Sequence, residues 1–262
     1  MELKFYQVDA FAQHVFKGNP AAVCPLDEWL SDDLMQNIAM ENNLSETAFF
    51  VKQDDHYRLR WLTPTTEVDL CGHATLASAH VLFQHLEYEH STISFSTSSG
   101  KLTVSRKKGD WYAMNFPAKP YPREAPPLDL YHALSGEIAD EVYKADDFLW
   151  VLDDEEKVRN IEPDFSLLAN VDMRGVIVTA PGHDVDFVSR FFAPAVGVNE
   201  DPVTGSAHTM LTPYWANRLG KRTLVARQIS ARGGTINCRL LDNDRVELEG
   251  QACTVMQGKI LV

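Results

Sequence analysis

Glu46, in Asn43-Leu44-Ser45-Glu46-Thr47-Ala48-Phe49, has the neighbours a proton-transfer group needs. It follows a polar helix end and opens an apolar strand, where partial burial raises a carboxyl pKa toward the working pH of a general acid or base. On these residues alone, a solvated acid at a strand start remains the ordinary alternative. Two other stretches suit the molecule that would lose the proton. Asp69-Leu70-Cys71-Gly72-His73-Ala74-Thr75 leads into the apolar run Leu76 to Phe83, and Asp201-Pro202-Val203-Thr204-Gly205-Ser206-Ala207-His208 leads into Thr209 to Trp215. Each reads as a loop turning into a helix, with Gly72 and Gly205 at the turns. A helix start carries unpaired N–H groups and roughly half a positive charge, so it binds a carboxylate or phosphate without a basic side chain. Glycine lets the ligand approach the backbone. Two such starts suit a small anion, and also an enolate-like charge formed as a proton leaves the carbon beside a carbonyl.

Other chemistries fit these residues less well. Cys71-x-His73 supplies two metal donors where zinc needs three or four, and no second Cys/His pair has ligand spacing, so no metal is expected. A two-thiol racemase needs a second cysteine in the later motif, where Pro202 stands about where it should be. Ser206 with Asp201 and His73 or His208 has the composition of a hydrolase triad. However, Asp201 and Ser206 lie five residues apart on one loop, without a G-x-S-x-G elbow. Arg232-Gly233-Gly234 opens a hairpin rather than a helix, which argues against a nucleotide site. Gly18-Asn19-Pro20 reads either as a turn or as a way of facing Asn19 toward a ligand.

The elements that must position these groups come in two similar sets. In the first half a helix capped by Ser31 precedes strands at Thr47–Val51 and Tyr57–Leu62, then Pro64, the first motif with its helix, a strand near Ile93–Ser96 and a hairpin opened by Gly100. In the second half a short helix at Phe165–Leu168 precedes strands at Gly175–Ala180 and Asp186–Phe192, then Pro194, the second motif with its helix, a strand at Leu224–Ile229 and a hairpin at Gly233-Gly234. Tyr57 and Phe187 are 130 residues apart, as are Arg60 and Arg190, and Pro64 and Pro194; Gly72 and Gly205 are 133 apart, as are Gly100 and Gly233. The order predicts a duplication, with the fold class α/β (α+β). Residues 1–117 form one domain and 128–262 the other, with the last strand free to return to the first domain. Five prolines in the eleven residues 117–127 exclude helix and internal strand and read as a linker. Glu46 has Gly175 or Val176 as its counterpart, so the repeat keeps an acid in one half only.

The 262 residues, 45% hydrophobic and 23% charged, suffice for such a core. A net charge of -13 argues against nucleic acid as a partner, and no apolar run approaches the roughly 18 residues of a membrane span. The start of the chain reads as a strand rather than a signal peptide, and the four cysteines lack C-x-x-C spacing. A cytoplasmic chain with reduced thiols is expected.

Together, Gly18-Asn19-Pro20, Asn43-Leu44-Ser45-Glu46-Thr47, Asp69 to Thr75 and Asn199 to His208 resemble the signatures of the PhzF-like (phenazine biosynthesis) isomerase family. The resemblance covers most of the chain. It implies a diaminopimelate-epimerase-like fold: two pseudo-symmetric domains, each a curved β-sheet around a central helix, with the active site between them. It implies a homodimeric, cofactor-independent isomerase that moves a proton between carbons of a small carboxylate. It further implies that Glu46 is the acid/base, that His73 and Asp201 orient substrate and assist the transfer, and that Ser206 with the backbone of Gly72 and Gly205 holds the substrate. Asn19 joins the candidate substrate-binding residues. A small-carboxylate-binding protein without turnover and a thiol-based racemase are the alternatives.

Overall fold

Residues 1–262 are described by a computed structural model, which divides into two compact units, Met1–Phe116 with Leu248–Val262, and Pro117–Glu247. The first unit contains β1 (Glu2–Ala10), β2 (Asn19–Leu26), α1 (Asp32–Asn42), β3 (Glu46–Gln53), β4 (His56–Leu62), β5 (Glu67–Val68), α2 (Gly72–His85), β6 (Thr92–Thr97), β7 (Gly100–Arg106) and β8 (Tyr112–Pro117). The second contains α3 (Leu128–Ala133), β9 (Glu141–Lys144), β10 (Phe148–Val151), α4 (Glu155–Asn160), α5 (Phe165–Leu168), β11 (Val176–Pro181), β12 (Phe187–Phe192), α6 (Gly205–Leu219), β13 (Thr223–Gln228), β14 (Gly234–Leu240) and the first half of β15 (Arg245–Gly250). The last strand, β16 (Ala252–Leu261), returns to the first unit and pairs antiparallel with β1 from Glu2↔Leu261 to Ala10↔Ala252.

The first unit's sheet runs β16-β1-β2-β3-β4-β6-β7-β8, with β5 paired to β4. Its axis is α2, buried continuously from His73 to Phe83. An amphipathic surface helix shows one apolar face; a helix covered on all sides must lie inside the protein. Ala74, Ala77, Ser78 and Ala79 keep it slim, and it packs on β1, β2, β3 and β16. By contrast, α1 buries only Met35, Ile38 and Ala39. The Ser31 hydroxyl caps α1 by accepting from Leu34 N at 3.3 Å, and Asn43, in the left-handed region, ends it just before Glu46.

The second unit's sheet runs β15-β14-β13-β12-β11-β10-β9 around α6, which is buried through most of its length. Pro213 inside α6 has no N–H for the Thr209 carbonyl. Lys119 N, from the proline-rich segment, donates to that carbonyl at 3.0 Å instead. The same segment is fastened by Glu124 N donating to Val142 O at 3.2 Å and Lys144 N donating to Pro122 O at 3.1 Å. It therefore straps the edge strand β9 instead of hanging between elements.

The strands of the two units repeat one pattern of pairing. β2–β3 and β10–β11 are parallel, β3–β4 and β11–β12 antiparallel, β4–β6 and β12–β13 parallel, β6–β7 and β13–β14 antiparallel. Glu46 opens β3 opposite Ala21, and Val176 opens β11 opposite Phe148. The residue before Val176 has no room for an acid: a Cβ on Gly175 would lie 2.6 Å from the Phe191 ring and 2.8 Å from the Phe192 carbonyl.

Candidate active site

In the first unit the site is built from a sheet end and a helix start. Ala21 of β2 faces Glu46 of β3 in a parallel pair, so their side chains share a face, and Asn19, two residues earlier on β2, shares it too. Asn19 is fully buried. Gly18 has φ +64°, and a Cβ there would fall 2.1 Å from the Ala10 carbonyl oxygen, so only glycine brings the chain in to Asn19. The buried Asp9 carboxylate accepts from Phe16 N at 2.6 Å and pins the loop that precedes it.

Opposite this sheet end, Cys71 occupies the N-cap of α2 without capping it through its side chain, leaving the N–H groups of the first turn for a ligand. His73 stands in that turn. Its Nε2 is 3.2 Å from Glu46 Oε2, with the Glu46 side chain 18% exposed and that of His73 7%. The two atoms are close without the alignment of a hydrogen bond. Cys71 Sγ is 3.5 Å from His73 Nδ1. Burial drives the His73 pKa down to about 3, so the imidazole is neutral near pH 7. A neutral ring presents one N–H and one lone pair. If the thiol donates to Nδ1, the Nε2 proton faces the Glu46 carboxylate.

In the second unit, the start of α6 is also uncapped by its N-cap side chain, that of Thr204. Thr204 Oγ1 instead donates to Asp201 Oδ2 at 2.6 Å, and Gln228 receives the Thr204 N–H at 2.8 Å while its Nε2 donates to the Asp201 carbonyl at 2.6 Å. Asp201 is thereby held against the turn that opens α6. Ser206 Oγ accepts from Arg174 Nη2 at 3.3 Å. The guanidinium also grips the buried Asp147, with Nε donating to Oδ1 at 2.8 Å and Nη2 to Oδ2, and lies over the Phe191 ring at 5.5 Å. Burial raises the Asp147 pKa while Arg174 pulls it back.

The structure thus brings Glu46, His73, Gly72 and Asn19 to one sheet end of the first unit, and gathers Asp201, Gly205 and Ser206 at the α6 start of the second. The residue in the second motif that matches Cys71 is Thr204, not Pro202: both are N-caps in extended conformation directly before the helix glycine. His208 does not serve Ser206 as a triad base, because it directs Nδ1 to the Thr204 carbonyl at 2.8 Å. The sequence reading missed Arg174, Asp147, Gln228 and Asp9. Arg174 and Asp147 are separated by β10 and two helices, so no local spacing could have paired them.

A family model described as phenazine biosynthesis-like protein matches residues 8–258. The chain belongs to the phenazine biosynthesis-like family. An uncharacterized isomerase of Pseudomonas aeruginosa is 55% identical to this family member over 260 residues, covering 99% of each chain. A crystal structure of a PhzF family protein of Enterococcus faecalis superposes with a TM-score of 0.97 at 49% identity, covering 100% of both chains. A hydroxyproline epimerase of Agrobacterium vitis, 11% identical and covering 99% of this chain and 92% of its own, gives a TM-score of 0.64 and shows the shared fold alone. The fold of this family member is the diaminopimelate-epimerase-like one, and the protein is an enzyme of the isomerase class. None of its helices is long and apolar enough to cross a membrane.

Proposed function

We propose that this isomerase moves a proton between carbons of a small carboxylate substrate without a cofactor, with Glu46 as the acid/base. The observation that carries the reading is the approach of Glu46 Oε2 to His73 Nε2 at 3.2 Å, beside the uncapped start of α2. The carboxylate is largely withdrawn from water, which suits it to take a proton from carbon and return it elsewhere. A neutral His73 beside it donates or accepts a hydrogen bond without adding charge. His73 and Asp201 orient the substrate and support the transfer. The backbone of Gly72 and Gly205, together with Ser206 and Asn19, holds the substrate, and the Arg174 guanidinium, its charge balanced by Asp147, fixes the position of Ser206. The uncapped helix starts favour an anionic ligand despite the net charge of -13. The working protein is a homodimer on this reading, as the family resemblance implies.

The test is solvent-deuterium exchange into small carboxylates that raise the thermal stability of the protein. Glu46→Gln should retain ligand binding and lose exchange. Undiminished exchange in that variant sinks the assignment, whereas binding without exchange in the unaltered protein leaves only a carboxylate-binding role.

A further inference from the structure

The sequence offers two metal donors at Cys71-x-His73, and folding brings Glu46 to them from β3. A thiol sulfur, a ring nitrogen and a carboxylate oxygen from these three residues all lie within 4.8 Å of one another. Sγ is 3.5 Å from Nδ1, and Nε2 is 3.2 Å from Oε2. Around a tetrahedral Zn²⁺ with bonds of about 2.0–2.3 Å, neighbouring donors stand roughly 3.3–3.7 Å apart. Whichever ring nitrogen binds, one donor pair is already near that spacing, and a side-chain rotation closes the third. The supports are rigid: Cys71 is the N-cap of the buried α2, His73 lies in its first turn, and Glu46 starts a strand in the interior of the sheet. Three protein donors with a fourth position open is the pattern of an accessible zinc site, and the thiolate selects Zn²⁺ over Mg²⁺ or Ca²⁺. The other cluster with suitable donors, Glu155, Glu156 and His183, has no sulfur, and its Glu155 carboxylate already accepts from Arg159 and His183 N.

We propose that Glu46, Cys71 and His73 bind one zinc-class divalent ion, and that the bound ion silences the enzyme by occupying Glu46. The silencing rests on the acid/base reading of Glu46; the binding does not. On binding, the Cys71 thiol gives its proton to water, the sulfur bonds to the metal as thiolate, and the ion stays divalent. Substrate and ion then exclude one another at the same carboxylate.

Cobalt(II), titrated into the chelator-treated full-length protein, supplies the test. One equivalent should produce a thiolate-to-cobalt charge-transfer band in the near ultraviolet with tetrahedral bands in the visible, and Zn²⁺ should abolish both. Cys71→Ser should lose the charge-transfer band, and Glu46→Gln should weaken binding at least about tenfold. Cys253→Ser, which alters a half-buried thiol elsewhere, should leave the spectrum intact. A featureless titration, or a charge-transfer band surviving in Cys71→Ser, overturns the proposal. In parallel, Zn²⁺ should stop deuterium exchange and chelation restore it. Exchange without cobalt binding defeats the metal site alone, and cobalt binding in a protein that never exchanges defeats the isomerase mechanism alone.

Discussion

Arg174 joins the buried carboxylate of Asp147 by two parallel hydrogen bonds and reaches Ser206 Oγ with the same guanidinium. The first turn of α6 is thereby tied to a strand start outside its own motif. Bidentate pairing fixes the plane of the guanidinium as well as its position, which lysine could not reproduce. Arg174→Ala should leave Asp147 buried without its cation and cost about 2 kcal/mol near neutral pH, reduced from a fully buried pair because Arg174 is partly exposed. The Asp147 pKa is already raised by burial, and losing Arg174 raises it further. A carboxyl with a raised folded pKa binds more protons folded than unfolded, so its contribution to stability falls as pH rises through that window. The melting difference between variant and unaltered protein should therefore be larger at pH 7 than at pH 5. Equal differences at both values would contradict the account.

Three buried imidazoles make the opposite prediction for the protein as a whole. Burial lowers His73 to about 3, and His80 and His208 to about 4 each. Each binds fewer protons folded than unfolded between its lowered pKa and 6.5, so stability is lost as pH falls through that interval. Each contributes on the order of 1.4 kcal/mol per pH unit inside its window. Thermal unfolding followed from pH 7 to pH 4.5 should show a steep acid decline. His80→Gln, which can keep a hydrogen bond to Tyr112 or Thr254, should flatten that slope. A melting temperature independent of pH across this range would refute the prediction.

Much of the candidate site's framework was readable because its signals are local. Gly72 and Gly205 announced helix starts, and the 130-residue register of Tyr57 with Phe187 pointed to two copies of one strand-pairing order, which the sheets display. The meeting of Glu46 with His73 was not readable from spacing. It depends on Glu46 at the first residue of β3 lying against the start of α2, two elements with β4 and β5 between them in the chain. The segment of α3, β9, β10 and α4 went unread because its elements are four to six residues long, too short for periodicity to distinguish helix from strand. The proline-rich segment was legible as neither helix nor internal strand. Its use as a strap was hidden, because its bonding partner is a carbonyl that Pro213 leaves open in a helix almost a hundred residues away.

Gly18 is where backbone geometry and the site are most tightly coupled. An alanine there would adopt a left-handed conformation with its Cβ 2.1 Å from the Ala10 carbonyl oxygen and 2.8 Å from the Ala12 Cβ. Neither neighbour is a flexible side-chain tip, so the loop itself must move. Gly18→Ala should cost about 2–4 kcal/mol and displace Asn19, weakening ligand binding more than the loss of stability alone explains. Chemical denaturation with a ligand titration on the folded fraction checks both. A variant as stable as the unaltered protein would show that the loop has freedom the structure does not display.

Cys71 separates the carboxylate mechanism from the thiol-based one. A two-thiol racemase needs a base on each helix start, and the residue at the matching position of α6 is Thr204, whose hydroxyl already donates to Asp201. A threonine hydroxyl is far too weakly acidic to replace a thiol as an acid/base pair member near neutral pH. Cys71 can still matter by fixing which ring nitrogen of His73 carries the proton, since its sulfur is 3.5 Å from Nδ1. That is a positioning role, typically worth about tenfold or somewhat more. With chelator present to exclude metal effects, Cys71→Ala should slow deuterium exchange by about tenfold and leave its dependence on Glu46 intact, whereas Glu46→Gln should stop it. If instead Cys71→Ala stops exchange and Glu46→Gln spares it, the thiol is the base and the carboxylate its support.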